Sequence, residues 1–353
     1  MRIMLAELIP KVAEMTNEEE RPFYPRPSSA GPERCIRQMV YHGLNTPRKP
    51  LPGRAIIIFS DSSFHEDLTA DWIRKTAFRL HSEQMKVSCR PPMEEGSIDG
   101  IITDILGIDR LLEHKAINHF TFQKYWNGDL PLDYFTQTAI YVDAAQREIN
   151  DELEEAILLV KNKNTAQYLE FLCRYDSKQD KLIILEKTHS NGESEKLDIT
   201  IDKPVTKACE KFNQVLDYIE KQTLPKRQYE IDSWRCEYCG WGTTCWQGYE
   251  KEYAELKTDA MLPNEVADLV RYYKESGAHI NEMKKEYEGL KTEIKDFMKE
   301  AGAREGRAGE YLVKLKLKET ASIDKSLLTE QERERVTKKG FKERMSISKI
   351  KGV

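Results

Sequence analysis

Hydrophobic and polar positions along this chain fall into two textures that part near residue 255. Before it, short runs of period two alternate with stretches of helical spacing. Ser97–Asp104 (SIDGIITD) and Arg110–Ala116 (RLLEHKA) flank the turn-like LGID and read as a hairpin in a central sheet. Ala166–Asp176 (AQYLEFLCRYD) and Lys181–Lys187 (KLIILEK), joined by SKQD, predict a second hairpin, and Asn191-Gly192 marks a further turn. Helical periodicity covers 64–80 through Phe64, Leu68, Trp72, Ile73 and Leu80. Pro131 opens a long helix, PLDYFTQTAIYVDAAQREI, as proline suits a first helical turn. Another helix is expected over 206–222.

The ends are different. MRIMLAELIPKVAEM reads as a short amphipathic helix, followed by an extended arm over 16–34 rich in Pro, Ser and charge. The arm leads to a helix expected to start near Ser28 or Ser29 and to carry Cys35, then to a Pro-rich loop over 46–53. Past residue 255, the charged stretch 264–300 predicts a helical hairpin broken near Gly277, and YLVKLKLKE at 311–319 alternates as a strand does. No internal repeat is present. The pattern divides the chain into an N-terminal helix and arm (1–34), a central domain (35–250) and a charged helical and β C-terminal extension (251–353).

Hydrophobic content of 39% against 33% charged residues describes a polar, globular chain. No apolar run approaches the ~20 residues that span a bilayer, so no membrane role is expected. The first residues lack the apolar core and cleavage site of a secretory signal, and the expectation is a cytoplasmic protein. In that reducing compartment seven cysteines favour metal binding or catalysis over disulfides. The net charge of −5 is unevenly spread: residues 311–353 carry a local +6. A basic tail can meet phosphates, but a solvated helical tail accounts for the charge more simply.

The chemistry lies in two sets of residues. Cys236, Cys239 and Cys245 form C-x2-C-x5-C, and the distant Cys35 would close a four-thiolate site. Four thiolates fit tetrahedral zinc or an iron–sulfur cluster. Between these ends, Asp99 precedes a strand carrying Glu113-His114-Lys115. Residues two apart on a strand share a face, so Glu113 and Lys115 project together and Asp99 on the neighbouring strand can join them. Two carboxylates suit a hard cation such as Mg2+ or Mn2+. Lys115 can orient or help deprotonate an attacking water and offset charge on a pentavalent phosphate. An E-x-K triplet alone says little: others begin at Glu255, Glu282 and Glu293. His65 precedes the hairpin on a helix, and Gln137 and Tyr141 follow it four apart, on one helix face.

The order His65, Asp99, Glu113-x-Lys115, Gln137-x3-Tyr141, bracketed by Cys35 and Cys236/Cys239/Cys245, resembles the RecB-like branch of the PD-(D/E)xK nucleases. Within it, the chain is similar to the iron–sulfur form found in CRISPR-associated exonucleases and in bacterial and viral recombination nucleases. The resemblance covers roughly residues 25–250. It implies an α/β restriction-endonuclease-like core, a central mixed sheet flanked by helices, with an iron–sulfur cluster and an α-helical plus β-hairpin C-terminal extension.

By position it implies that Asp99 and Glu113 bind metal with the backbone carbonyl of His114. His65 would be a further ligand and Lys115 the catalytic lysine, while Gln137 and Tyr141 position DNA or the site. A glycine often found shortly before the histidine is absent; the chain reads Ser60-Asp-Ser-Ser-Phe-His65. With the asymmetric cysteine spacing, the resemblance favours [4Fe–4S] over zinc. Trp234, Tyr238, Trp241 and Trp246 are expected to shield it. Cys89, Cys173 and Cys209 read as free thiols, the last two buried.

The expected activity is a Mg2+- or Mn2+-dependent DNA exonuclease acting on single strands or DNA ends, in recombination or end processing of phage or mobile-element type. FKERMSISK near the C-terminus faintly resembles the tail of phage recombination exonucleases. A single-strand annealing protein is the partner such a role implies. Alternatives are a structure-specific endonuclease or nickase, and a non-catalytic DNA-binding protein with a degenerate site.

Overall fold

The computed structural model describes residues 5–15, 22–256, 263–309 and 311–315. It falls into two compact units, Met1–Gln247 and Gly248–Val353. The first begins with helices α1 (Leu5–Met15), α2 (Ile36–Gly43) and α3 (Gly53–Ile73). Strands β1 (Arg79–His81), β2 (Lys86–Ser88), β3 (Glu95–Ser97), β4 (Gly100–Thr103) and β5 (Asp109–Ile117) follow. Helices α4 (His119–Trp126) and α5 (Leu132–Glu148) lead to β6 (Glu155–Asn162), β7 (Tyr168–Asp176), β8 (Lys181–His189) and β9 (Ser194–Asp202). Helices α6 (Pro204–Glu220), α7 (Trp234–Glu237) and α8 (Gly242–Trp246) complete it.

Seven strands form one mixed sheet in the order β1-β4-β5-β6-β7-β8-β9. Among the described strands only β5 and β6 run parallel, joined through α4 and α5. This is the long crossover that parallel neighbours require. The expected hairpins are present as β4–β5, with Gly100 opposite Leu112, and β7–β8, with Asp176 opposite Lys181. Both faces of the sheet are covered. Leu111, Leu158 and Phe171 join Phe135 and Ala139 of α5 and Phe212 of α6 in the main core. Ile102, Leu112 and Ile157 face Ile73, at the end of α3, in a smaller cluster. The structure is therefore a central mixed sheet flanked by helices, as the sequence led one to expect.

Three elements differ from their sequence patterns. Helix α3 starts eleven residues earlier than the 64–80 periodicity and ends at Ile73, after which Leu80 pairs with Ile102 in β1. The β-branched run Ile56-Ile57-Ile58 opposes a helix by propensity, but tertiary packing overrides so weak a preference. The Gly53 N–H donates to Glu14 Oε1 at 2.8 Å, and the Pro10 carbonyl lies where a side chain at 53 would stand, so α1 docks on the start of α3. Cys35 lies not within a helix from Ser28 but at the N-cap of α2, after a short 3-10 turn at Pro27–Ser29. Pro32 separates the two. In the second unit, α9 (Tyr249–Ala254) precedes α10 (Asn264–Glu300), one uninterrupted helix through Gly277. A glycine costs a helix about 1 kcal/mol, too little to break one this long. Strands β10 (Glu305–Ala308) and β11 (Tyr311–Lys314) form a hairpin. The rest of the 311–319 pattern and FKERMSISK lie outside the described residues.

Asp180 ties β7–β8 to α6. Its carboxylate accepts from Tyr175 Oη at 2.9 Å, Val205 N at 3.2 Å and Thr206 N at 2.8 Å, so it caps the helix and satisfies a fully buried tyrosine. Burial pushes its pKa up, but these donors outweigh it and hold the carboxyl below its ordinary value. Asp180→Ala is expected to cost about 2 kcal/mol in urea denaturation, from the lost cap and the stranded hydroxyl. A depressed carboxyl stabilises above its unfolded pKa, so the wild-type advantage is lost as pH falls below about 4.

Candidate active site

The alternation of β5 decides what faces what. Leu111 points to α5 and Leu112 to α3. Glu113 and Lys115 therefore share the α5 face, and the His114 side chain lies on the other. Glu113 is fully buried, and Lys115 Nζ forms an ion pair with its Oε1. Neither Glu113 oxygen accepts a hydrogen bond of normal geometry. Asp99, in the turn between β3 and β4, accepts from the His114 N–H at 2.7 Å, which fixes it beside the strand. Of the E-x-K triplets, that at Glu113 lies on a strand, whereas those at Glu282 and Glu293 lie on α10.

Helix α5 supplies the opposite wall. Gln137 hydrogen-bonds Tyr141, whose hydroxyl lies in the field of Glu113 and Asp99. Tyr141 packs so closely on Gly96 that a Cβ there would stand 2.5 Å from its ring, which accounts for the glycine.

Helix α3 contributes a residue that sequence order did not single out. Glu66 shares a hydrogen bond with Asp99 and accepts from Gln84 Nε2 at 2.7 Å. The charges that act on His65, one residue earlier, are those of Lys161, Lys163 and Asp61, and His65 in turn acts on His114. The helical phase shared by Glu66 with the buried Thr69 and with Ile73 was the available signal.

Three carboxyls face one ammonium. Burial and then the charge of Asp99 push Glu66 up to about 7. Burial raises Glu113 to about 8 despite Lys115, and raises Asp99 against the pull of Lys115 and the His114 N–H. Burial alone would lower Lys115, but Glu113 and Asp99 outweigh it and keep the ammonium above its usual range. On the far face, burial and neighbouring lysines press His114 down to about 3, so its imidazole is neutral; its Nε2 is buried with no hydrogen-bond partner.

Cys35, Cys236, Cys239 and Cys245 are free, half-buried thiols that lie in one another's electrostatic field. Burial first, and the neighbouring cysteines in part, raise the Cys236 and Cys239 thiols. The segments carrying them are zipped together. Tyr229 Oη donates to Glu33 O at 2.6 Å, Lys49 N to Gly240 O at 2.9 Å and Trp241 Nε1 to Thr46 O at 2.9 Å. Trp241 is buried and stacks on Tyr41, while Trp234 and Tyr238, expected as shields, are exposed. Of the other cysteines, Cys89 and Cys173 are buried and Cys209 is only half-buried.

Among the described residues no group of three or more His, Cys, Asp or Glu is already drawn tightly enough to hold a metal ion. Both donor sets nonetheless fit one by chemistry. Three carboxyls in excess over one lysine, with the buried Glu113 oxygens lacking any hydrogen bond of normal geometry, suit a hard divalent cation. Four thiols in one another's electrostatic field would suit a soft metal or cluster. No helix among the described residues is long and apolar enough to cross a membrane.

No family model matches the chain, and no curated protein matches it. Among solved structures, SSO0001 aligns at 13% identity and TM-score 0.33 over 69% of this chain and 98% of that one. The alkaline exonuclease LHK-Exo from Laribacter hongkongensis aligns at 13% identity and TM-score 0.30, over 53% and 80%. Its complex with dAMP aligns at 14% identity and TM-score 0.30, over 60% and 87%. Likenesses this remote leave the functional argument to the site's own chemistry.

Proposed function

We propose that this chain is a metal-dependent DNA exonuclease whose centre is Asp99, Glu113 and Lys115, joined by Glu66. The carrying observation is the buried Glu113 carboxylate, whose one partner among the described residues is the Lys115 ammonium, beside Asp99. Asp99, Glu113 and Glu66 would hold Mg2+ or Mn2+, with the main-chain carbonyl of His114 between them on the strand. The cation would supply Lewis acidity toward the phosphodiester and activate water. Lys115, held as an ammonium by Glu113 and Asp99, serves as a charge-offsetting donor to the phosphate rather than as the base. The His114 N–H fixes Asp99, and Gln137 holds Tyr141 against the site as a positioning pair. His65 stands outside this set. Cys35, Cys236, Cys239 and Cys245 would hold a [4Fe–4S] cluster as a clasp between the two ends of the domain.

The test is incubation of the purified protein with linear and covalently closed circular DNA, with Mg2+, Mn2+ or EDTA. Metal-dependent loss of linear DNA with the circle intact is expected. Cleavage of the circle would make it an endonuclease, and no metal-dependent cleavage of either would overturn the reading.

A further inference from the structure

Helix α10 is 37 residues long, about 55 Å. Its apolar residues repeat every 3.5 positions rather than 3.6. Val266, Tyr273, Ile280, Tyr287 and Ile294 recur at intervals of seven. Leu269, Met283, Leu290 and Phe297 fall three residues after members of that series, with Ser276 the one polar residue among them. These are the a and d positions of about five heptads, more than the three to four that mark a coiled coil. From Leu269 to Phe297 the apolar members are 48–71% exposed. A single chain rarely leaves so long an apolar seam in water.

The flanks name the occupant. The e positions include Lys284 and Lys291, and the g positions include Glu265, Glu286, Glu293 and Glu300. An antiparallel pair of identical helices would set glutamates against glutamates and lysines against lysines. A parallel, in-register pair sets each g beside the e′ five residues on, so Glu286 meets Lys291 of the second copy on both sides of the seam. Within one helix Asp268 pairs with Arg271 and Asp296 with Lys299 on the outer face, and Lys291 rests against Glu288 at 3.0 Å, a contact it would share with Glu286 of the second copy. We infer that a second copy of this chain covers the α10 seam as a parallel coiled-coil dimer.

Light scattering of the full chain at micromolar concentration should give twice the mass of one chain. Ile280→Lys with Leu290→Lys should give monomers, loosening the dimer by roughly a hundredfold or more. Circular dichroism checks that the variant keeps its fold. Glu286→Lys and Lys291→Glu should each weaken self-association and, once mixed, pair with each other. Ile280→Cys should cross-link to itself under mild oxidation, as an a position does in a parallel pair. A monomeric wild type would overturn the inference, as would a larger oligomer, or an Ile280→Cys variant that forms no link between the two copies of residue 280.

Discussion

Lys115→Ala is expected to lower metal-dependent DNA hydrolysis by roughly 10²–10⁴-fold while leaving DNA affinity within a few-fold. Among the described residues Lys115 is the one ammonium paired with Glu113, and its charge is fixed by two carboxylates. Glu113→Gln should be as damaging, because it keeps the shape of a fully buried side chain but removes the anionic donor. Glu66→Gln is expected to cost more activity than His65→Ala, because it is Glu66 that shares a hydrogen bond with Asp99. The reverse ranking, measured as single-turnover rates at saturating Mn2+, would return His65 to the metal and sink the placement of α3. The crowded carboxyls add a pH signature. With Glu66 near 7 and Glu113 near 8, these two carboxyls hold protons in the metal-free fold that they have lost in the unfolded chain at neutral pH. Their contribution to stability therefore falls as pH rises from about 4.5 through 8; it is opposed below about 6.5 by the depressed His114 and stands alone above it, where a divalent cation relieves it most.

What the sequence revealed follows the range of the forces involved. The β4–β5 and β7–β8 hairpins were legible because alternation and turn chemistry are local, and the strands they join are neighbours in the chain. Their burial on both faces depends on α5 and α3, which alternation alone does not place. Helix α3 was misread at both ends: its start is fixed by Glu14 and Pro10 of α1, some forty residues away, not by anything in Ile56–Phe59. Glu66 was missed for a related reason. Adjacent helical residues point about 100° apart, so whether residue 65 or 66 meets Asp99 depends on how the helix is rolled, and packing sets that roll. Gly277 misled in the other direction: a weak local penalty reads as a break, while a heptad series running through it argues for continuity.

The cysteines should separate from the carboxylates in their effects. Purified without oxygen, the protein is expected to be brown, with about four iron per chain in a four-thiolate cluster. Cys35→Ser or Cys239→Ser should lose most of that iron and lower the thermal midpoint by roughly 10 °C, the scale on which ~3 kcal/mol moves a domain this large. The sheet should survive as a folded unit, because α2 and the 225–246 segment are also joined by Tyr229, Gly240 and Trp241 without any metal. Trp241→Ala separates the two contributions. It removes a buried ring stacked on Tyr41 and is expected to destabilise by about 3–5 kcal/mol while iron remains bound. If the clasp were packing alone, the tryptophan variant would melt early and the cysteine variants would behave as wild type. Stoichiometric zinc in a colourless protein would keep the four-thiolate site but replace the cluster. In either metal form, the cysteine variants should lose DNA hydrolysis only as the domain loosens with temperature, whereas Lys115→Ala fails at every temperature at which the chain is folded.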